Sequence, residues 1–215
     1  KLIKYYQNGQ LVDAEKLAVS ITKEFPEHQF AWKVLGVLLI QVGRLSESLI
    51  STQKSVELNP MDSEAHYNLG VILKSLDRSN EAEKSYRQAI TLKPDYAEAH
   101  SNLGNILQEL GRLVEAEKSF RQAIELKPDF TEAHSNLGIT LQELGKLDEA
   151  EKSFRQAITL KPDFTEAHSN LGITLQELGK FNASEASFKQ AIVLKPDFTE
   201  AHSNLGLTLQ ELGRL

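Results

Sequence analysis

The sequence predicts an all-α fold built from pairs of helices that repeat every 34 residues. The six prolines stand 34 residues apart, at Pro26, Pro60, Pro94, Pro128, Pro162 and Pro196. One series of glycines keeps the same step, at Gly36, Gly70, Gly104, Gly138, Gly172 and Gly206. No segment alternates apolar and polar residues with a period of two, so strands are not expected.

Residues 131–164 show how one repeat encodes two helices. Leu137 and Leu141 are spaced for one face of a first helix, and Gly145 provides a stop signal. The second apolar face consists of Ala150, Phe154, Ala157, Ile158 and Leu160. Pro162 ends this second helix because proline cannot continue a helix.

The helix ends carry their own signals. Two capping boxes are predicted in this repeat, Asp129 with Glu132 and Asp148 with Glu151. The turn glycines form a second series with the same step, which is interrupted by Asp77. Aspartate tolerates left-handed geometry better than most residues, so we expect the turn to persist at Asp77.

The pattern Leu137-Gly138-x-x-Leu141, followed by Ala150, Phe154, Ala157 and Pro162, resembles the tetratricopeptide repeat signature. It recurs in residues 63–96 and 97–130. The repeat from 165 departs from it at Ser184, and the repeat from 29 departs at Ser48, Thr52 and Ser55. The resemblance implies a right-handed superhelical α-solenoid of antiparallel helix pairs.

The repeat pattern divides the chain into seven segments of one solenoid domain. These are an incomplete N-terminal repeat (1–28), five complete repeats (29–62, 63–96, 97–130, 131–164 and 165–198) and the first helix of a truncated repeat (199–215). The last helix keeps the full apolar pattern and lacks a polar capping element. We therefore expect a fragment of a longer protein, whose end helix can associate end to end with a second copy.

Composition excludes several classes of partner. Acidic residues outnumber basic ones, 30 to 24, which argues against nucleic acid and against an anionic membrane surface. No apolar run reaches about 18 residues, so no membrane insertion is expected. There is no cysteine, which excludes disulfides and cysteine-ligated metal and suits a cytoplasmic location.

The resemblance also implies a concave groove lined by the first helices. In this family their second, fifth, sixth, ninth, twelfth and thirteenth positions face the ligand. The sixth positions carry Asn68, Asn102, Asn136, Asn170 and Asn204. The stretch Ala133-His134-Ser135-Asn136-Leu137 is similar to the repeat region of O-GlcNAc transferases, where an asparagine ladder holds extended peptide. An amide both donates and accepts, so it can pair with a peptide backbone.

Two further rows are predicted deeper in the groove. They consist of Gln108, Gln142 and Gln176 and of Glu109, Glu143 and Glu177. A row of one charge sign favours a ligand that carries lysine or arginine. The alternatives are that the asparagines support turn geometry and that the glutamates form a solvated helix face.

The sequence argues against two other kinds of site, a carboxylate clamp and a histidine metal site. Lys33 and Asn68 match two of the five groups with which chaperone-tail binders of this family clamp a carboxylate, and Glu98 puts the wrong charge at a third. A histidine ladder comprises His66, His100, His134, His168 and His202. Helices pack about 8–10 Å apart and a zinc–nitrogen bond is about 2.0–2.1 Å. We therefore expect these histidines to pack between helices, and we expect no metal or cofactor.

The sequence thus indicates a protein- or peptide-binding scaffold or adaptor that is not itself an enzyme. No glycine-rich phosphate loop is present, and the serines and carboxylates recur with the repeat, so none is singled out as a nucleophile or base. Two alternatives remain open. The chain can be the substrate-recruiting region of a larger enzyme, such as a transferase, or a structural spacer without a ligand.

Overall fold

The computed structural model describes residues 1–214, which fold into thirteen α-helices without a strand. Leu215, the last residue of the predicted segment 199–215, lies outside the described residues. The helices are α1 (Leu2–Gln7), α2 (Leu11–Glu24), α3 (Gln29–Gln41), α4 (Leu45–Leu58), α5 (Ser63–Ser75), α6 (Ser79–Leu92), α7 (Ala97–Glu109), α8 (Leu113–Leu126), α9 (Thr131–Glu143), α10 (Leu147–Leu160), α11 (Thr165–Glu177), α12 (Phe181–Leu194) and α13 (Thr199–Glu211). The predicted all-α fold of repeated helix pairs is confirmed.

Helices of two lengths alternate from α2 onward. The odd-numbered helices from α3 to α13 have 13 residues and are called first helices below, and the even-numbered helices have 14 and are called second helices. The connections are short, which makes consecutive helices antiparallel neighbours. Within residues 1–214, none of these helices combines the length and the apolar character that a membrane span requires.

The chain forms two compact units, an N-terminal unit of residues 1–106 and a C-terminal unit that begins at Leu107. In the N-terminal unit α1 to α6 pack consecutively, and the first helices α3 and α5 also touch. In the C-terminal unit α8 to α13 pack consecutively, and α11 contacts both α9 and α13. Each unit therefore places its first helices side by side.

The turns between the two helices of a repeat use the left-handed backbone geometry that the glycines predict. Gly145 has φ of 73°, and the N–H of Lys146 donates to the carbonyl of Leu141 at 2.8 Å. This 6→1 bond satisfies a carbonyl at the helix end. Asp77 adopts φ of 56°, and the same bond follows it, so the turn predicted there is confirmed.

The helix starts differ from the prediction, and the two capping boxes are wrong. Phe130 precedes α9 and Lys146 precedes α10, and neither provides a side-chain cap. Asp129 stands one residue too early and Asp148 lies inside its helix, so neither carboxylate is placed to accept from the first N–H groups. By contrast, Asp62 directly precedes α5 and accepts from two backbone N–H groups at 3.0 and 3.2 Å.

The packing inside each helix pair depends on a glycine that faces an aromatic ring. Phe154 is 0% exposed, and a Cβ atom added to Gly138 would lie 2.7 Å from its ring. Only a residue without a side chain therefore lets the two helices approach this closely. The same arrangement pairs Gly70 with Tyr86 and Gly172 with Phe188.

In the repeat 29–62, polar residues form the corresponding contact between the two helices. Thr52 occupies the position of the aromatic ring and lies against Gly36. Ser48 replaces the usual alanine, and its buried hydroxyl donates to the carbonyl of Gly36 at 2.6 Å. Ser184 makes the equivalent bond to its own glycine, Gly172, at 2.8 Å. A buried hydroxyl is tolerated at this position because it has a partner.

Ion pairs connect the second helices α8, α10 and α12 to the turn that follows the first helix of the next repeat. Glu151 on α10 accepts from Lys180 at 2.7 Å and from Arg155 at 2.8 Å, and its side chain is 15% exposed. Glu151 therefore pairs both within its own helix and with the next repeat. The hydrogen bond from Lys180 lowers the pKa of Glu151, although burial partly opposes it. Equivalent pairs join Glu117 to Lys146 and Glu185 to Arg214.

The glycine–aromatic contact leads to a first prediction. Gly138→Ala should lower the free energy of unfolding by about 1–2 kcal/mol, because overpacking costs more than the helix gains from alanine. Gly206→Ala is the matched control, since nothing lies within 4 Å of its added Cβ. That variant should be more stable by up to about 1 kcal/mol. Equal shifts of the two urea-unfolding midpoints would contradict the proposed constraint.

The ion pairs lead to a prediction about pH. The folded pKa of Glu151 is lowered, so its contribution to stability is present above its unfolded pKa of about 4.3 and is lost as the pH falls through the folded value. Glu151→Gln should therefore destabilise the protein by about 1 kcal/mol at pH 7 and much less at pH 3.

Thermal unfolding followed by circular dichroism measures this difference. Glu125→Gln is the control, because Glu125 is exposed and forms no ion pair within residues 1–214. A destabilisation by Glu151→Gln that is the same at both pH values would show that the charge of Glu151 does not matter.

Candidate functional site

The predicted groove residues lie on the first helices. In the C-terminal unit Asn136, Asn170 and Asn204 occupy the same position of α9, α11 and α13, and α11 packs against both of the other two. All three side chains are half-buried. The structure therefore places three of the predicted asparagines in a row on neighbouring helices.

Two of these amides are not used inside the chain. The side chains of Asn170 and Asn204 form no hydrogen bond with any other residue in the range 1–214. Their backbone carbonyls accept the hydroxyls of Thr174 and Thr208, both at 2.9 Å. Half-buried amides normally have hydrogen-bond partners. The donors and the acceptor of these two side chains are therefore left to pair with a ligand or with water.

In the N-terminal unit, which holds Asn68 and Asn102, the side chain of Asn102 is hydrogen-bonded to a tyrosine. The side-chain amide of Asn102 donates to the hydroxyl of Tyr67 at 3.1 Å, and the rings of Tyr67 and Tyr96 lie 4.9 Å apart. Burial raises the pKa of both tyrosine hydroxyls, and the carboxylate of Glu98 adds to this effect. Both tyrosines are therefore neutral near pH 7, and one donor of Asn102 is already occupied.

The predicted glutamine and glutamate rows meet each other. Gln108 donates to Glu143 at 2.9 Å, and Gln142 donates to Glu177 at 2.8 Å. Each bond joins a first helix to the first helix of the next repeat. The glutamates are exposed and the glutamines are half-buried. Linking neighbouring repeats is thus a role that the sequence alone did not indicate.

The remaining members of these rows are Gln176 and Glu109. Gln176 makes no such bond in the part of the chain that the structure describes, and Glu109 is exposed on α7. Glu132, Glu166 and Glu200 are exposed in the first turns of α9, α11 and α13. The first helices of the C-terminal unit therefore present carboxylates beside the asparagine row.

The repeat 29–62 departs from the polar pattern. Val34 stands where the other repeats have the asparagine, and Val37 stands one turn further along α3. Together with Ile3, Tyr6 and Phe30 they line a cavity of about 180 Å³ in the N-terminal unit. Sequence reasoning missed this cavity because it followed residues that recur. The feature of the sequence that could have indicated this cavity is Val34, which stands where the later repeats have asparagine.

Lys33 at the edge of this cavity is held by carboxylates. Its ammonium group lies 3.0 Å from Asp62 and 2.6 Å from Glu64. Burial lowers the pKa of Lys33, but the hydrogen bonds that its ammonium group donates to the two carboxylates outweigh this effect, and the pKa is raised. Lys33 is therefore charged but already paired, which agrees with setting aside the carboxylate clamp.

The histidine ladder has a structural partner in each repeat. The Nε2–H group of His134 donates to the carbonyl of Pro128 at 2.9 Å. Trp32 makes the same bond with its indole N–H, at 2.7 Å to Pro26. The equivalent histidines are His66, His100, His168 and His202. Across residues 1–214, no group of three or more potential ligands is placed to hold a metal ion.

Solved structures share this architecture. YrrB, described as a TPR protein with an unusual peptide-binding site, has a TM-score of 0.76 at 24% identity, with 88% of this chain and 98% of YrrB covered. PilF of Pseudomonas aeruginosa has a TM-score of 0.69 at 21% identity, with 86% and 91% covered. A chain of the APC/C hetero-tetramer Cut9–Hcn1 has a TM-score of 0.74 at 18% identity, with 98% of this chain but 42% of that one covered. At these identities the likeness shows the fold alone.

Family models give the same assignment from the sequence, although no curated protein sequence matches the chain. One tetratricopeptide repeat model matches residues 95–163, a TPR repeat model matches 72–111 and 174–213, and a further tetratricopeptide repeat model matches 52–84. Together they cover more than half of the chain. The chain belongs to the tetratricopeptide repeat family.

Proposed function

We propose that this chain is a protein-interaction scaffold whose first helices bind an extended segment of a partner protein. The observation that carries the proposal is the row of asparagines in the C-terminal unit. Asn170 and Asn204 are half-buried, occupy equivalent positions on packed helices, and keep their amides free of hydrogen bonds within residues 1–214. An amide in this position can both donate to and accept from a peptide backbone.

The spacing of the helices suits an extended ligand. Packed helices lie about 8–10 Å apart, and an extended chain advances about 3.3–3.6 Å per residue. Each asparagine would therefore meet roughly every third residue of the ligand. Recognition through the backbone leaves the ligand side chains largely unspecified, which suits a scaffold that serves several partners.

The charge beside the row favours a basic ligand. Glu143 and Glu177 are exposed, and the bonds from Gln108 and Gln142 hold their carboxylates in a defined place. A carboxylate that is already oriented loses less conformational entropy on binding. Lysine or arginine in the ligand would gain from this charge, mainly through a faster association rate.

The expected affinity is modest. Each net hydrogen bond is worth about 0.5–1.5 kcal/mol, and ordering the ligand opposes this gain. We therefore place the dissociation constant in the micromolar range. The description of YrrB as a peptide-binding TPR protein supports this assignment at the level of the fold. No catalytic step is assigned to this chain, and recruiting a substrate for an attached enzyme would use the same surface.

The proposal is tested with peptides selected from phage-displayed random 20-residue sequences. For the best peptide, Asn170→Ala combined with Asn204→Ala should raise the dissociation constant about 5- to 150-fold, because two hydrogen bonds are lost. Fluorescence anisotropy measures the change, and circular dichroism verifies that the variant is folded.

The matched control is Gln156→Ala combined with Gln190→Ala. It removes two exposed amides that also lie 34 residues apart, but on second helices. Its affinity should equal that of the wild type. Equal losses in both double variants would contradict the asparagine row, and failure to select any peptide would favour the structural spacer.

End-to-end self-association through α13 stays a prediction. Leu207 is 50% exposed, and within residues 1–214 no atom lies against Gly206 in the way that Phe154 lies against Gly138. We propose that a second copy packs on this face at high concentration. Sedimentation velocity should show a dimer at high micromolar concentration that Leu207→Glu abolishes, whereas a monomer at every concentration would overturn this proposal.

A further inference from the structure

The N-terminal unit contains an apolar cavity within its predicted groove. We call it the apolar pocket; it has a volume of about 180 Å³ and is lined by five apolar or aromatic residues and three polar ones, Ile3, Tyr6, Phe30, Val34 and Val37 with Gln7, Lys33 and Glu64. By repeat position, Phe30, Val34, Val37 and Glu64 are groove residues of α3 and α5. Phe30 and Val34 stand where the later repeats carry glutamate and asparagine, so this part of the predicted groove is more apolar than the rest.

We propose that the apolar pocket receives one large apolar side chain of the bound segment, such as phenylalanine, leucine or methionine. This inference rests on the proposed function and adds side-chain specificity to it. The pocket would determine which residue of the ligand lies against α3, a side-chain preference that pairing of asparagine amides with a peptide backbone does not provide.

The size of the pocket supports one side chain as its occupant. A dry cavity of about 150 Å³ lined by leucine, isoleucine and phenylalanine admits a benzene molecule. The apolar pocket is slightly larger, and it is too small for the several residues that a pocket of about 300–1,000 Å³ would hold. Burying one large apolar side chain is worth about 10- to 150-fold in affinity.

The lining also leaves apolar surface exposed that an occupant would cover. Ile3 is 50% exposed at the mouth of the pocket, and Tyr6 and Phe30 are half-buried. Val34, in contrast, is buried at the base. A ligand side chain would therefore meet a buried base and an exposed apolar edge, which is the arrangement of an anchor pocket.

The charge at the edge indicates the residue next to the anchor. Lys33 is paired with Asp62 and Glu64, so this trio of charges carries one net negative charge. The side chain of Glu64 is 61% exposed and can pair with a further cation. The favoured occupant is therefore an apolar residue that has lysine or arginine beside it in the ligand.

The pocket is tested directly with three probes: N-acetyl-phenylalanine methylamide, N-acetyl-leucine methylamide and N-acetyl-asparagine methylamide. In methyl NMR spectra of the wild type, the first two should cause saturable shifts of Val34 and Val37 at millimolar concentration. Val37→Asn should weaken this binding at least tenfold. The chain itself tolerates asparagine at this repeat position, since Asn105 occupies it in α7.

Ile173→Asn is the matched control, because Ile173 has the same repeat position in α11 but lies outside the pocket. It should leave probe binding unchanged. Absence of saturable shifts in the wild type, or equal shifts with the asparagine probe, would overturn the apolar pocket. Circular dichroism of both variants separates loss of binding from loss of fold.

The selected phage peptides distinguish this inference from the proposed function. Peptides that bind should share one large apolar residue, and their affinity should fall about 10- to 150-fold in Val37→Asn. Peptides that lack such a residue and bind Val37→Asn normally, but not the Asn170→Ala and Asn204→Ala double variant, would overturn the pocket alone. A dimer that Val37→Asn dissociates would instead assign the pocket to a second copy and overturn the ligand proposal.

Discussion

The contact between a helix glycine and an aromatic ring underlies the rest of the architecture. Where Phe154 lies on Gly138, the two helices of a repeat approach more closely than any larger residue would allow. The same distance recurs at Gly70 and Gly172, so these pairs have nearly the same thickness. Equal thickness lets first helices stack in register. The register in turn puts equivalent residues of neighbouring first helices side by side, as it does for the asparagines of α9, α11 and α13.

The polar side chains of the stacked first helices differ in their hydrogen-bond partners. Each histidine donates to the proline carbonyl at the end of the preceding repeat, as His134 does to Pro128. Gln108 and Gln142 are bonded to glutamates of the next repeat. Asn170 and Asn204 keep their side-chain amides unengaged within residues 1–214. Since satisfied groups stabilise the fold, the unengaged amides are the ones available for recognition.

Much of the fold follows from the sequence because its determinants are local. The period, the helix pairs and the left-handed turn at Asp77 depend on residues close in the chain. The predicted cap of α9 was wrong because Asp129 lies one residue before the position that directly precedes the helix. Asp62 occupies that position in front of α5. The Gln108–Glu143 bond depends on how two helices align, which no local pattern encodes. The apolar pocket was not predicted, because it is lined by residues of the first complete repeat that differ from the repeated pattern.

The assignment of the asparagine row is tested most directly by the side-chain amide resonances of the protein during titration with a selected peptide. The account predicts that the ¹⁵N–¹H signals of Asn170 and Asn204 shift and saturate with the dissociation constant found by anisotropy. The signals of Gln156 and Gln190 on the second helices should stay in place. Saturating shifts elsewhere, with both asparagine signals unchanged, would show that the ligand binds without the asparagine row.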